Sequence, residues 1–120
     1  MKKHDKFLAT VVLLISVLQI NVASAHAVVT DYSLKLKPIH AHKADHIELT
    51  FNSKIELGLS QIFLVSKGDK HDLLTAEMGK KQGQIIVNVP ALVAGEYAIR
   101  FKVFAADGHI TEDVIHFTVS

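Results

Sequence analysis

The sequence predicts an all-β fold: an antiparallel, Greek-key β-sandwich of immunoglobulin-like type, with about seven short strands. Three observations point there. After residue 25, apolar and polar residues alternate with a period of two along most of the chain. Turn formers such as Pro38, Gly58, Gly68, Gly79, Pro90 and Gly95 cut that alternation into short runs. No run keeps a 3.6-residue apolar period, beyond a turn of helix at 57–60 or 92–95.

The first 25 residues stand apart from this pattern. A basic start with Lys2, Lys3 and Lys6 is followed by an apolar run from Phe7 to Ile20 and a small-residue exit, Ala23-Ser24-Ala25. This is the layout of a cleaved secretory signal, and the run is short of the ~20 apolar residues of a spanning helix. Cleavage after Ala25 predicts a soluble exported domain over 26–120 that begins with His26. Cuts after Ser24 or Ala27 also satisfy a small-residue rule and leave other starts. The chain has 13 basic and 12 acidic residues; losing Lys2, Lys3, Lys6 and Asp5 leaves 10 and 11. A near-neutral chain without a basic stripe argues against nucleic acid as a partner. The absence of cysteine excludes disulfides, thiolate metal sites and a lipidated cysteine. One compact core must hold the domain.

The strands follow in order. Val28, Thr30, Tyr32, Leu34 and Leu36 alternate with Val29, Asp31, Ser33 and Lys35 until Pro38 ends the run. Ile47, Leu49 and Phe51 alternate with His46, Glu48 and Thr50. A brief Ile55–Leu57 segment precedes Gly58. Residues 61–66 form a mostly apolar run closed by the turn Lys67-Gly68-Asp69-Lys70. Leu73, Leu74 and Ala76 predict one more short strand, ending near Gly79. Ile85, Val87 and Val89 form the next, stopped by Pro90. A long strand then places Tyr97, Ile99, Phe101, Val103 and Ala105 on one face. It runs into a turn at Asp107-Gly108-His109. The last strand turns Ile115, Phe117 and Val119 inward and Val114, His116 and Thr118 outward. Tyr97, just after Gly95, suits a tyrosine corner.

Two features carry chemistry. A histidine at a free N-terminus offers its α-amine and its Nδ1 to one ion, and His26 holds that place after cleavage. Asp107 and His109 are ligand-type residues two apart, and Gly108 lets the backbone bend so that both face one ion. Alone, the first is a histidine that starts a strand and the second an ordinary Asp-Gly turn. Together, His26, Asp107 and His109 supply three nitrogens and one carboxylate oxygen, a square-planar set for Cu(II). His40 and His42, with His46 nearby, suggest either a second metal site or a solvated surface. Met78 is the only methionine after residue 25, so no thioether Cu(I) site is expected. No nucleophile elbow or phosphate-cradling glycine loop is present.

These residues resemble the CopC-type copper resistance proteins. The likeness rests on His26-Ala27, the Leu36-Lys37-Pro38 segment, the strand Ile47-Glu48-Leu49-Thr50-Phe51 and Ala94-Gly95-Glu96-Tyr97. It rests also on Ala105-Ala106-Asp107-Gly108-His109 and the closing Phe117-Thr118-Val119. It covers essentially all of 26–120. The resemblance implies a small periplasmic β-sandwich that binds Cu(II) through His26, Asp107 and His109, beside a CopD-type membrane copper-transport protein. The sequence departs from the family in three places: Phe101 or Phe104 stands where the long strand often carries Trp, Thr111-Glu112-Asp113 follows the turn where a glycine is common, and the methionine-rich Cu(I) site of some members is missing. The leading expectation is a non-enzymatic protein that buffers or delivers copper. A histidine-brace copper monooxygenase acting on polysaccharide, and a metal-free interaction module, are the alternatives.

Overall fold

The computed structural model describes residues 28–35 and 37–120. The expected signal segment and His26 lie outside the described residues. Eight strands follow one another: β1 (Val29–Tyr32), β2 (Asp45–Phe51), β3 (Gln61–Ser66), β4 (Lys70–Leu73), β5 (Ala76–Met78), β6 (Gln84–Val89), β7 (Gly95–Phe104) and β8 (Ile110–Val119). They form two four-stranded sheets of order β1-β2-β6-β5 and β4-β3-β7-β8, each antiparallel throughout. That is the Greek-key order of an immunoglobulin sandwich with one additional edge strand, β4. Among the described residues no helix is long and apolar enough to cross a membrane.

Strand parity follows the sequence pattern closely. The inward residues Ile47, Leu49 and Phe51 of β2 and Ile85, Val87 and Val89 of β6 face Ile62, Leu64, Ile99, Phe101 and Val103 of the other sheet, all buried. Phe51 and Phe101 meet edge to face, centroids 5.4 Å apart, and join the two sheets at the centre. Phe101 thus takes the central aromatic position of the long strand, while Phe104 is only half-buried. The Tyr97 hydroxyl donates to the Val93 carbonyl at 2.8 Å, so the expected tyrosine corner forms.

Two elements differ from the period-two reading. The first strand stops at Tyr32 and winds into a 3-10 turn over Ser33–Lys35. There the Ser33 hydroxyl accepts the Glu48 N–H at 2.9 Å and the Ser33 carbonyl accepts the Lys37 N–H at 2.8 Å. These local bonds compete successfully with an extended backbone. The single strand expected around residues 73–76 is in fact the crossing between two, which is why eight strands form. The Leu74 N–H still donates to Ile62 of β3, whereas the Thr75 carbonyl already accepts Asn88 beyond β6's Val87 partner. The chain changes sheets within one dipeptide.

Gly83 shows how tightly the end of the sandwich beside Phe51 is built. Its φ is +78°, its carbonyl accepts the Phe51 N–H, and a Cβ there would meet the Phe51 carbonyl oxygen at 2.6 Å and that of Ser53 at 2.8 Å. Both neighbours are backbone, so neither can yield cheaply. Gly83→Ala is expected to destabilise the domain by about 2–3 kcal/mol, read as a lowered urea midpoint with an unchanged slope. A loss below about 0.5 kcal/mol would show that the 51–53 backbone moves freely.

Candidate metal centre

The β7–β8 hairpin is the long arm of the molecule, paired without a break from Gly95↔Val119 to Phe104↔Ile110. Its tip is the turn 105–109. The Ala105 N–H donates to the His109 carbonyl at 2.9 Å and the Gly108 N–H to the Ala105 carbonyl at 3.0 Å, closing the loop. Gly108 takes φ +92°, with open space where a Cβ would point. Its requirement is therefore one of backbone conformation and not of room.

This turn brings Asp107 and His109 together. Oδ1 of Asp107 accepts the His109 N–H at 3.0 Å, and Oδ2 lies 3.2 Å from Nδ1 of the same residue. Two donors each about 2.0 Å from one first-row ion, at right angles, would sit about 2.9 Å apart, so the pair fits adjacent positions on one ion. Their side chains remain 36% and 47% accessible, which leaves the face open to an incoming ligand. Among the described residues no group of three or more His, Cys, Asp and Glu converges on one ion position. The pair by itself offers two donors.

What lies beside the turn is set by the β2–β3 connection. The Ala106 N–H donates to the Lys54 carbonyl at 2.9 Å, and Ile55 bridges Ala105, both of them buried. Two residues earlier, Asn52 grips the start of the described chain: its Oδ1 accepts the Val28 N–H at 2.8 Å, and its own N–H donates to the Val28 carbonyl at 3.0 Å. Val28 and the turn therefore share one end of the sandwich. His26 itself lies outside the described residues.

The other histidines are elsewhere. His40 and His42 lie in the connection that meets the opposite chain end, where the Ala41 N–H donates to Ser120 and the His42 N–H to Leu92. His46, on β2, sits between Asp45 at 3.7 Å and Glu48 at 3.9 Å. No three-ligand cluster forms around His40, His42 and His46 among the described residues. His71 has both ring nitrogens engaged: Nδ1 accepts the Arg100 Nε–H at 3.2 Å and Nε2 faces Asp69 at 2.8 Å. His116 pairs with Ala98 seven residues along β8 from His109, roughly 24 Å away at the rise of a strand. It does not approach the turn. Sequence reasoning missed Asn52, because an Asn-Ser pair after a strand reads only as a turn.

Comparison with known proteins adds the context. The structure resembles that of CopC from Methylosinus trichosporium OB3b, with 28% identity over 79% of this chain and 94% of that one, and a TM-score of 0.68. It also shares its fold with two structures of PcoC from Escherichia coli. The selenomethionine protein, a copper resistance protein, is 20% identical over 78% of this chain and 99% of that one, at a TM-score of 0.59. The other, described as methionine-rich, is 20% identical over 80% and 100%, at 0.55. No curated protein sequence matches the chain. The CopC domain model matches residues 29–120, which is most of the sequence and all of the sandwich, and the chain belongs to the CopC domain family.

Proposed function

We propose that this protein binds Cu(II) in the periplasm, after removal of residues 1–25, and serves copper homeostasis and resistance by holding or delivering the ion. The observation that carries this reading is the Asp107–His109 pair, held 3.2 Å apart on the hairpin tip at the end of the sandwich where Val28 is bound. His26 lies two residues before Val28, and two residues reach at most about 7 Å. A span of that length is enough for His26 to reach the turn in this reading. The α-amine and imidazole of His26, the imidazole of His109 and the carboxylate of Asp107 would then hold the ion. Nitrogen and oxygen donors of this kind favour Cu(II), the strongest binder of the divalent series. With Met78 as the only methionine after residue 25, the chain lacks the thioethers a Cu(I) site needs, unlike the methionine-rich E. coli protein. A CopD-type membrane copper-transport protein is the partner this family reading suggests.

Copper is cargo here, and no turnover is proposed. The carboxylate of Asp107 would occupy a position that a histidine-brace oxygenase leaves open. The two tyrosines a sugar platform would draw on are also engaged: Lys35 lies over the Tyr32 ring at 4.6 Å, and Tyr97 stacks on Phe117 at 5.9 Å.

Titration of the exported, processed protein with Cu(II), followed by electron paramagnetic resonance, is the test. One nitrogen-rich Cu(II) per chain is expected, and His109→Ala should abolish that spectrum. A spectrum unaffected by His109→Ala would refute the site. Protons compete for the same donors. A protonated imidazole or α-amine has no lone pair for the metal, so the forms that exclude it accumulate as pH falls. Affinity should therefore drop as pH goes below about 6–7, seen in competition titrations between pH 5 and 8.

A further inference from the structure

We infer that Asn52 is a positioning residue for this copper site, and that residues 52–55 form a bracket fixing the spacing between its two halves. The inference rests on the Cu(II) reading above and adds to it a residue that is not a ligand. One end of the bracket holds the N-terminal arm through the paired Val28–Asn52 hydrogen bonds, at 2.8 and 3.0 Å. The other end holds the hairpin tip through Lys54 to Ala106 and Ile55 to Ala105. The four residues thus touch two segments that are far apart in sequence.

The two ends differ in strength. Ile55 and Ala105 are buried, at 2% and 0% exposure, and the Gly83 carbonyl accepts the N–H of Phe51, next to Asn52. The turn side is therefore built into the core. The arm side hangs on Asn52, because β1 pairs with β2 through only a few residues and its register is irregular between Val29 and Asp31. Without the Asn52 side chain, the arm keeps the Asn52 N–H to Val28 carbonyl bond but loses the acceptor for the Val28 N–H. Val28 would then be held less closely, and a ligand carried ahead of it would bind at greater entropic cost. Asn is suited to this role because its side-chain carbonyl caps a backbone N–H just as a strand neighbour would.

The test uses the full chain, exported and processed by its own leader, with Asn52→Ala, Asn52→Asp and the ligand control His109→Ala. Asn52→Ala should weaken Cu(II) binding roughly fivefold, the size of one net hydrogen bond, and should broaden the Cu(II) resonance spectrum. Asn52→Asp retains an acceptor for the Val28 N–H and should bind Cu(II) at least as tightly as the unsubstituted chain. Amide exchange at Val28 should quicken in apo Asn52→Ala and slow again on copper loading. If Asn52→Ala lowers the melting temperature but leaves affinity and spectrum unchanged, Asn52 is merely structural and the inference is overturned. If His109→Ala also binds copper normally, the failure lies with the site itself and not with the bracket.

Discussion

One extra residue placed ahead of His26 is expected to weaken Cu(II) binding by on the order of 100-fold or more. The extension turns the α-amine into an amide, which would remove a nitrogen ligand of the proposed site and open the chelate ring that His26 would close with its Nδ1. Loss of a group that only supports a ligand typically costs 10–100-fold in metal affinity, so loss of a ligand together with its chelate should cost at least the upper end of that range. The hairpin tip is untouched by the change, since Asp107 and His109 are held by bonds within 105–109 and by Lys54. The measurement is a competition titration of native and extended forms, each with its N-terminus established by mass spectrometry. Equal affinity in the two forms would mean that the amine is not a ligand, and the reading of His26 would fall with it. The melting temperature of the apo forms should agree within a degree or two, which separates a lost ligand from a damaged fold.

Phe101→Ala should remove about 3–5 kcal/mol of stability, the usual range for emptying an aromatic site in a well-packed core. Phe101 is 1% exposed, and its ring meets Phe51 of the other sheet edge to face. Ile, Leu and Val side chains enclose it on both sheets, so the space left cannot collapse easily. A domain of this size has only about 5–15 kcal/mol in total, and the variant would stand close to unfolding at body temperature. Urea denaturation followed by circular dichroism reads the change directly. Phe104→Ala, at a half-buried position on the same strand, provides the comparison and should cost less than half as much. Comparable losses at both positions would show that the core is not organised around the Phe51–Phe101 contact. Because the long strand carries the Asp107–His109 turn at its end, Phe101→Ala should also raise amide exchange in the hairpin tip.

Much of the fold could be read from the residues in order. Period-two alternation correctly assigned the inward faces of β2, β6, β7 and β8, since a buried face demands apolar side chains at every second position. The bounds of β3 and the corner at Tyr97 followed from turn chemistry on either side. The first strand was overestimated at Ser33, where a side-chain hydroxyl offers the backbone another partner. The stretch 70–78 departs from the expected single strand for a different reason. Alternation reports a buried face, but the edge strands β4 and β5 bury almost nothing, with all four residues of β4 and two of three in β5 exposed, so the change of sheet at Leu74 and Thr75 leaves little periodic trace.

The candidate site divides in the same way. The sequence by itself determined which side chains could bind an ion: a histidine after the small residues Ala23-Ser24-Ala25, and an acid and an imidazole around a glycine. It also determined what could not form, because a chain without cysteine and with Met78 as its only methionine after residue 25 has no soft donor set to offer. Tertiary structure alone decided that the turn and the start of the sandwich share one end. That proximity runs through Val28 and Asn52, 24 residues apart, and through Lys54 and Ala106, which no local pattern relates. Hydrogen bonds between distant backbone groups carry no signature in the residues that make them, since every residue but proline offers the same N–H and carbonyl. Only the packing of two sheets around Phe51 and Phe101 chooses which of those groups meet.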